Sequence, residues 1–535
     1  VIDALTGTGT LARFIVRRDR RLFVWVVYLC VIPVAFASSF GGLYRTAAAR
    51  RQFAETSGHN ATFVALYGRL FGSSLGDLVT WRSGFVPVVI GLISLLTVVR
   101  HTRVEEESGR RELIGAAVVG RYAGLAAALL VTCATDVVLA VLIGLAMMSQ
   151  HVPVAGSFAL GAEFAAAGWV FAAVGGVAAQ LTESSGSARG LAISVLGGAY
   201  LLRVVGDLSS LSGGAVSWLS WLSPIEWAQQ IRPYGGDRWW VLLPIAVIAA
   251  VMAAGAFVLS ARRDVGAGVF PARLGPARGA PGLCTPLALA WRLHRSLIAS
   301  WVAGLAVTGV VLGGIAKGIG TLLNDNVHLE NLFARMGGRA GLIDAYLAAM
   351  MSLLALTAAS YAVQATLRLR SEEASGRAEP VLATSVGRLQ WAASHLVFSI
   401  LGSAAVLMSA GLAVGLTYGL DAGGVGKYLP PVLGAAAAQL PAVWVLAAVA
   451  VALVGLAPRI AGASWGALAI CLLFGLVGAA LQMSHWLLDI SPFSHVPKAP
   501  GAGVSLTPLI WLVGVALVLG AAGLVGLRRR AMPVG

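Results

Sequence analysis

The sequence predicts an all-α polytopic membrane protein: twelve transmembrane helices in two parallel six-helix repeats, with both termini cytoplasmic. Three observations carry that prediction. Of the 535 residues, 58% are hydrophobic and the mean hydropathy is +0.84. A water-soluble domain has too little interior for so much apolar surface, so lipid must solvate much of the chain. Apolar runs of about 20 residues, enough to cross a hydrocarbon core of ~30 Å, recur from end to end. Finally, one charged passage occurs twice in a chain where only 11% of residues are charged: TRVEEESGRREL at Thr102–Leu113 and LRSEEASGRAEP at Leu369–Pro380.

The runs place spans at about 22–40, 78–99, 122–148, 158–181, 188–206, 240–261, 297–316, 342–366, 390–417, 430–456, 461–481 and 506–527. Arg13, Arg17, Arg18, Arg20 and Arg21 precede the first, and Arg528, Arg529 and Arg530 end the last. Positive residues stay on the inner side, which puts both termini there. Residues 13–37 also fit a signal peptide with Ala35-Phe36-Ala37 as its cleavage site. The apolar run continues to Phe40, however, and has a mid-chain counterpart at 297–316, so a retained span is expected. The net charge of +15 forms no basic patch interleaved with aromatics, which argues against nucleic acid.

The echo defines the domains. Thr102–Arg121 and Leu369–Arg388 share 11 of 20 residues without a gap, at an offset of 267. Leu222-Ser223-Pro224 is answered by Ile490-Ser491-Pro492, and Ala261-Arg262-Arg263 by Leu527-Arg528-Arg529. The expected organisation is a first half, 1–263, a linker at 264–286 rich in Pro and Gly, and a second half, 287–535. Leu11–Arg20 and Leu287–Ser296 read as amphipathic helices on the inner membrane surface.

Each charged copy falls between the second and third spans of its half. One reading is a solvated loop retained after duplication. The other is a short helix that fits a protein partner, with Glu105, Glu106 and Glu112 meeting basic groups and Ser108-Gly109 capping or turning the chain. Two such loops suit a partner with twofold symmetry.

Catalytic motifs are absent. Gly426-Lys427 lacks the first glycine of a phosphate loop, since Asp421 stands there, and Tyr428 replaces the Ser or Thr. Leu211-Ser212-Gly213-Gly214-Ala215 imitates an ATPase signature on the outer side and is a coincidence. The 8 histidines form no HExxH, and Cys30, Cys133, Cys284 and Cys471 form no CxxC, so no metal or disulfide is expected. Asp136 lies mid-span, which costs ~2.5–3.5 kcal/mol. It is either a contact for a cationic substrate or a structural bond to a neighbouring helix. Glu163 and Arg203 are expected nearer the outer interface.

Glu105–Arg121, Glu372–Arg388, Ala178–Asp207, Leu222–Trp227 (LSPIEW) and Arg262–Gly268 (RRDVGAG) resemble the membrane subunit of type 2 ABC exporters. The likeness is to the fused form described as tetronasin or polyketide-antibiotic exporters of actinobacteria. That resemblance implies ATPase-coupling loops at Glu105, Glu106, Ser108, Gly109, Arg110 and Glu112, and at Glu372, Glu373, Ser375, Gly376, Arg377 and Glu379. It implies no cofactor in this chain, with ATP and Mg on two copies of a separate ATPase subunit. It also implies hydrophobic drug substrates and a bacterial inner membrane. The family's path runs between the second and fifth helices of each half, where Phe85, Tyr200, Tyr361 and Phe474 are candidates. The second half departs at Ala457-Pro458-Arg459 and Ser494-His495. A proton-coupled secondary drug transporter and a non-transporting scaffold for an ATPase are the alternatives.

Overall fold

A computed structural model describes residues 3–115, 118–211, 213–270, 279–322, 338–477, 489–500 and 505–531. Among them there is no strand, and 11 helices are long and apolar enough to cross a membrane. The chain divides into two compact units, Val1–Gly275 and Pro276–Gly535.

In the first unit the spans are Val24–Leu43, Val86–Glu107, Ala123–Met148, Val154–Leu181, Ser185–Leu211 and Trp239–Ala261. The run expected at 78–99 is broken. Leu75–Arg82 is a separate short helix, and the span proper starts at Val86. The break lies at Ser83–Phe85, where a Cβ on Gly84 would collide with the Tyr67 carbonyl. The fourth span is the hub, with 83% of its apolar window enclosed against 22% for the sixth. Glycines at 161, 168 and 175 lie two turns apart on it. A Cβ there would strike the Ala140 carbonyl, the Asp136 carboxylate and the Leu95 carbonyl respectively. Lipid offers no hydrophobic drive between helices, so this close backbone approach, and the dispersion it allows, is what holds them.

In the second unit the spans are Pro286–Gly314, Ile343–Ala374, Arg388–Asp421, Val425–Leu456 and Leu506–Arg529. The run expected at 461–481 is seen as the helix Ser464–Val477, and residues 478–488 lie outside the described set. Gly309, Gly313, Gly455 and Gly523 provide the close approaches in this unit. The second span outlasts its apolar run. Arg368 bonds Glu372 one turn on at 3.0 Å, and this i,i+4 pair supports the helical backbone out to Ala374.

Candidate functional site

In the first unit, the second span closes with a π-helical turn, Arg100–Val104, followed by Glu105–Glu107. Ser108 then bonds the Glu105 carbonyl through its hydroxyl at 3.1 Å, and Gly109 reverses the chain at φ +70°. That left-handed dihedral is routine only for glycine. The repeat therefore encodes a helix stop, and its acidic residues lie on helical turns rather than in an irregular loop.

Glu106 faces inward. It pairs with Arg103 at 2.9 Å, with Arg111, and with Arg263 through both carboxylate oxygens at 2.9 Å. The remaining guanidinium donors are spent on carbonyls: Arg103 bonds Ala179 at 3.0 Å, Gly266 at 3.2 Å and Ala267 at 2.9 Å. Arg263 bonds the Gln180 side-chain oxygen at 2.8 Å. A buried charge is tolerable only when paired and fully hydrogen-bonded, and this cluster meets that condition. Burial pulls the Arg111 guanidinium below its ordinary pKa, while the Glu106 carboxylate opposes that pull.

The clamp joins three passages distant in sequence. The charged repeat supplies Glu106, the end of the fourth span supplies Gln180, and Arg262–Gly268 supplies Arg263. The last passage also forms a strap, with the Val269 and Phe270 amides donating to the Gln180 and Leu181 carbonyls at 3.0 Å each. Glu107 accepts the Ser185 amide at 3.1 Å, which ties the repeat to the start of the fifth span.

In the second unit, Glu373 takes a two-pronged bond from Arg530, one arm of it 2.6 Å, with Arg370 at 3.5 Å. Arg388 donates to the Arg530 carbonyl at 2.8 Å, as Arg121 does to that of Arg263 at 3.0 Å. Glu372 pairs with Arg368 and Arg377 at 3.0 Å each, and Gly376 turns at φ +71°. Ala378 stands where the first copy has Arg111, so this clamp has one arginine fewer.

Glu106 and Glu373 point inward, 8% and 6% exposed, and their carboxylates are taken up by arginines of this chain. Glu105 is also committed, to Arg18 at 2.9 Å and Arg110 at 3.5 Å. The outward residues are Ser108, Arg110 and Glu112 in one copy and Ser375, Arg377 and Glu379 in the other. Beside the first copy lies a cavity of about 490 Å³ walled by Phe14, Ile15, Arg18, Glu105, Arg111 and Glu112. The surface helix Thr8–Arg18 thus forms one side and the charged repeat the other.

Asp136 is buried and accepts the Ser94 hydroxyl at 3.2 Å, packed on the backbone of Gly168. It joins the second, third and fourth spans, which is the structural of the two expected readings. Tyr361 is fully enclosed and donates to the Phe398 carbonyl at 2.7 Å. Tyr200 is half-buried and bonds the Ala65 carbonyl at 3.1 Å, and Phe85 and Phe474 are half-buried. Glu163 and Arg203 are enclosed by protein. Arg203 stands 3.9 Å from Asp207, and its guanidinium carbon lies 4.8 Å from the Tyr200 ring centre. Buried oxygens of Glu163, Asp207 and Glu226 lack hydrogen-bond partners among the described residues. Burial raises the Glu226 carboxyl, and Asp207 adds to the shift.

The class defined is a multi-pass helical membrane protein whose two units each fasten a charged turn to their last span. The chain is 42% identical to the multidrug efflux system permease protein Rv1217c of Mycobacterium tuberculosis, over 530 residues covering 99% of this chain and 96% of that protein. Residues 283–528 match the family described as multidrug efflux system permease Rv1217c, C-terminal domain. The chain belongs to this family of multidrug efflux permeases.

Proposed function

We propose that this chain is the permease of an ATP-driven exporter of hydrophobic drugs in a bacterial inner membrane. It crosses the bilayer twelve times as two parallel repeats with both termini cytoplasmic. It is not itself an enzyme. A separate ABC ATPase, in two copies, holds ATP and Mg and docks on the two charged turns. The observation that carries this reading is the pair of clamps, Glu106–Arg263 and Glu373–Arg530. Solvation alone would not build the same internal ion pair twice at the same spacing, whereas a shaped docking surface needs a rigid base. In the first unit, motion of the turn would pass through Glu107 to the fifth span and through Arg263 to the sixth. The neighbouring cavity would take an apolar side chain of the ATPase.

The test reverses the outward rim: Arg110→Glu with Glu112→Arg, and Arg377→Glu with Glu379→Arg. The expected result is loss of ATPase co-purification and of vanadate-sensitive drug uptake into inverted vesicles by chains that still fold in detergent, their melting lowered by no more than the lost Arg110–Glu105 and Arg377–Glu372 pairs contribute. Retained association would remove the docking role. The buried carboxylates Glu163, Asp207 and Glu226 favour a second reading, a proton-coupled carrier. Transport abolished by a protonophore and insensitive to vanadate would establish it.

A further inference from the structure

A groove of about 420 Å³ lies on the flank of the surface helix Thr8–Arg18, away from the charged turn. The surface helix contributes Arg13, Val16 and Arg17, and the first span Val26. The third span contributes Leu130, Ala134 and Val138, which follow one another at four-residue steps along one helix face. From Leu130 to Val138 the helix rises about 12 Å, against ~15 Å for half a hydrocarbon core. Leu130 and Val138 are 57% and 50% exposed, so this wall is open toward lipid.

The polar groups divide cleanly. Thr135 bonds the Val131 carbonyl at 2.8 Å, so it asks nothing of an occupant. Asp19 also borders the groove, but its carboxylate is held by Arg100 and His101 at 3.1 Å each. Arg13 and Arg17, one turn apart and exposed, make no ion pair with any described residue. An occupant must therefore be apolar along the groove and anionic at its mouth. A free anion would leave the apolar wall uncovered, and a zwitterionic headgroup would bring its own cation to the two arginines.

We propose that this groove is a binding site for one anionic phospholipid, its acyl chain along Leu130, Ala134 and Val138 and its phosphate between Arg13 and Arg17. The lipid wedges the surface helix against the third span. That helix also carries Arg18, which holds Glu105 of the charged turn at 2.9 Å. The site stands whether or not an ATPase docks on the turn.

The test uses the intact chain, delipidated in detergent and titrated with phosphatidylglycerol, phosphatidylcholine or inorganic phosphate, with bound lipid counted by native mass spectrometry. One phosphatidylglycerol should be retained in preference to phosphatidylcholine, and phosphate should not protect against thermal unfolding. Arg13→Gln with Arg17→Gln should weaken phosphatidylglycerol binding about thirtyfold, on the usual attraction of two basic residues to an anionic surface. Ala134→Trp, at an exposed position, should abolish binding by filling the groove while both arginines remain. If the arginine variant does not fold, Ala134→Trp decides alone. Equal retention of the two lipids, unchanged binding in a folded variant, or equal protection by phosphate would each overturn the site.

Discussion

Glu106 gathers three guanidinium groups around one carboxylate, so its removal leaves several cations buried together. Breaking a buried pair from one side costs about 3–5 kcal/mol, whereas removing both partners costs less. Glu106→Gln should therefore lower the thermal stability of the purified permease by that order, and Arg263→Met by less, because Arg103 and Arg111 still hold the carboxylate. The double variant should be less destabilised than the sum of the single ones. Strict additivity in a double-mutant cycle would show that the pair does not bear on stability. Glu226 gives a pH signature. Its carboxyl is raised by burial to about 7, so the folded chain holds that proton more tightly than the unfolded chain does. Such a group favours the fold at acid pH, and the advantage drains as pH climbs from the ordinary glutamate range through about 7. Glu226→Gln should gain stability over the native chain on going from pH 5 to pH 8. A melting difference that stays constant across that range would contradict the assignment.

At the scale of elements, the glycine turn separates a helix stop from a mere polar loop. Gly109 and Gly376 adopt φ near +70°, and a Cβ at either would meet nothing within 4 Å. Alanine there would be strained by its dihedral alone, at about 1–2 kcal/mol. Gly109→Ala and Gly376→Ala should lower the melting temperature by similar amounts, and thermal scans of the two variants check this. A cost at one site only would mean that the turns differ in rigidity. The turn was legible in the sequence because its Ser-Gly signature is local. Its partners were not. Matching Ala261-Arg262-Arg263 to Leu527-Arg528-Arg529 uses an offset of 266, while the carboxylates repeat at 267, which pairs Arg263 with Arg530. Hydropathy also cut the second span of the second unit near 366, because Arg368, Arg370 and Glu372 look like solvent-facing charge. They neutralise one another or Glu373 on the continuing helix. The cluster of Glu163, Arg203, Asp207 and Glu226 was invisible for a related reason: its members come from three elements, and no periodicity links them.

For the whole molecule, the repeat bears on stoichiometry. One chain carries two charged turns of the same construction, so one permease should hold two ATPase subunits. Native mass measurement of the complex should give one 54.9 kDa chain with two ATPases. Two permease chains per ATPase pair would contradict it. The two turns are not copies in strength: the first has Arg111 and Glu107 as added ties, where the second has Ala378 and Ala374. An ATPase pair built of identical subunits would then meet one stiffer seat and one softer seat.

The clamp also orders events during synthesis. Glu106 and Arg263 are 157 residues apart, as are Glu373 and Arg530. At ~5–20 residues per second, the ribosome needs about 8–30 s to make that stretch. Throughout that interval the carboxylate waits beside Arg103 without its main partner. The ion pairs of each turn are complete only once Arg263 or Arg530 has been made. A nascent or truncated half thus exposes an unfinished turn, and a partner that recognises the finished shape will pass it over. If an ATPase docks on the finished turns as proposed, its docking must follow the synthesis of Arg263 and of Arg530.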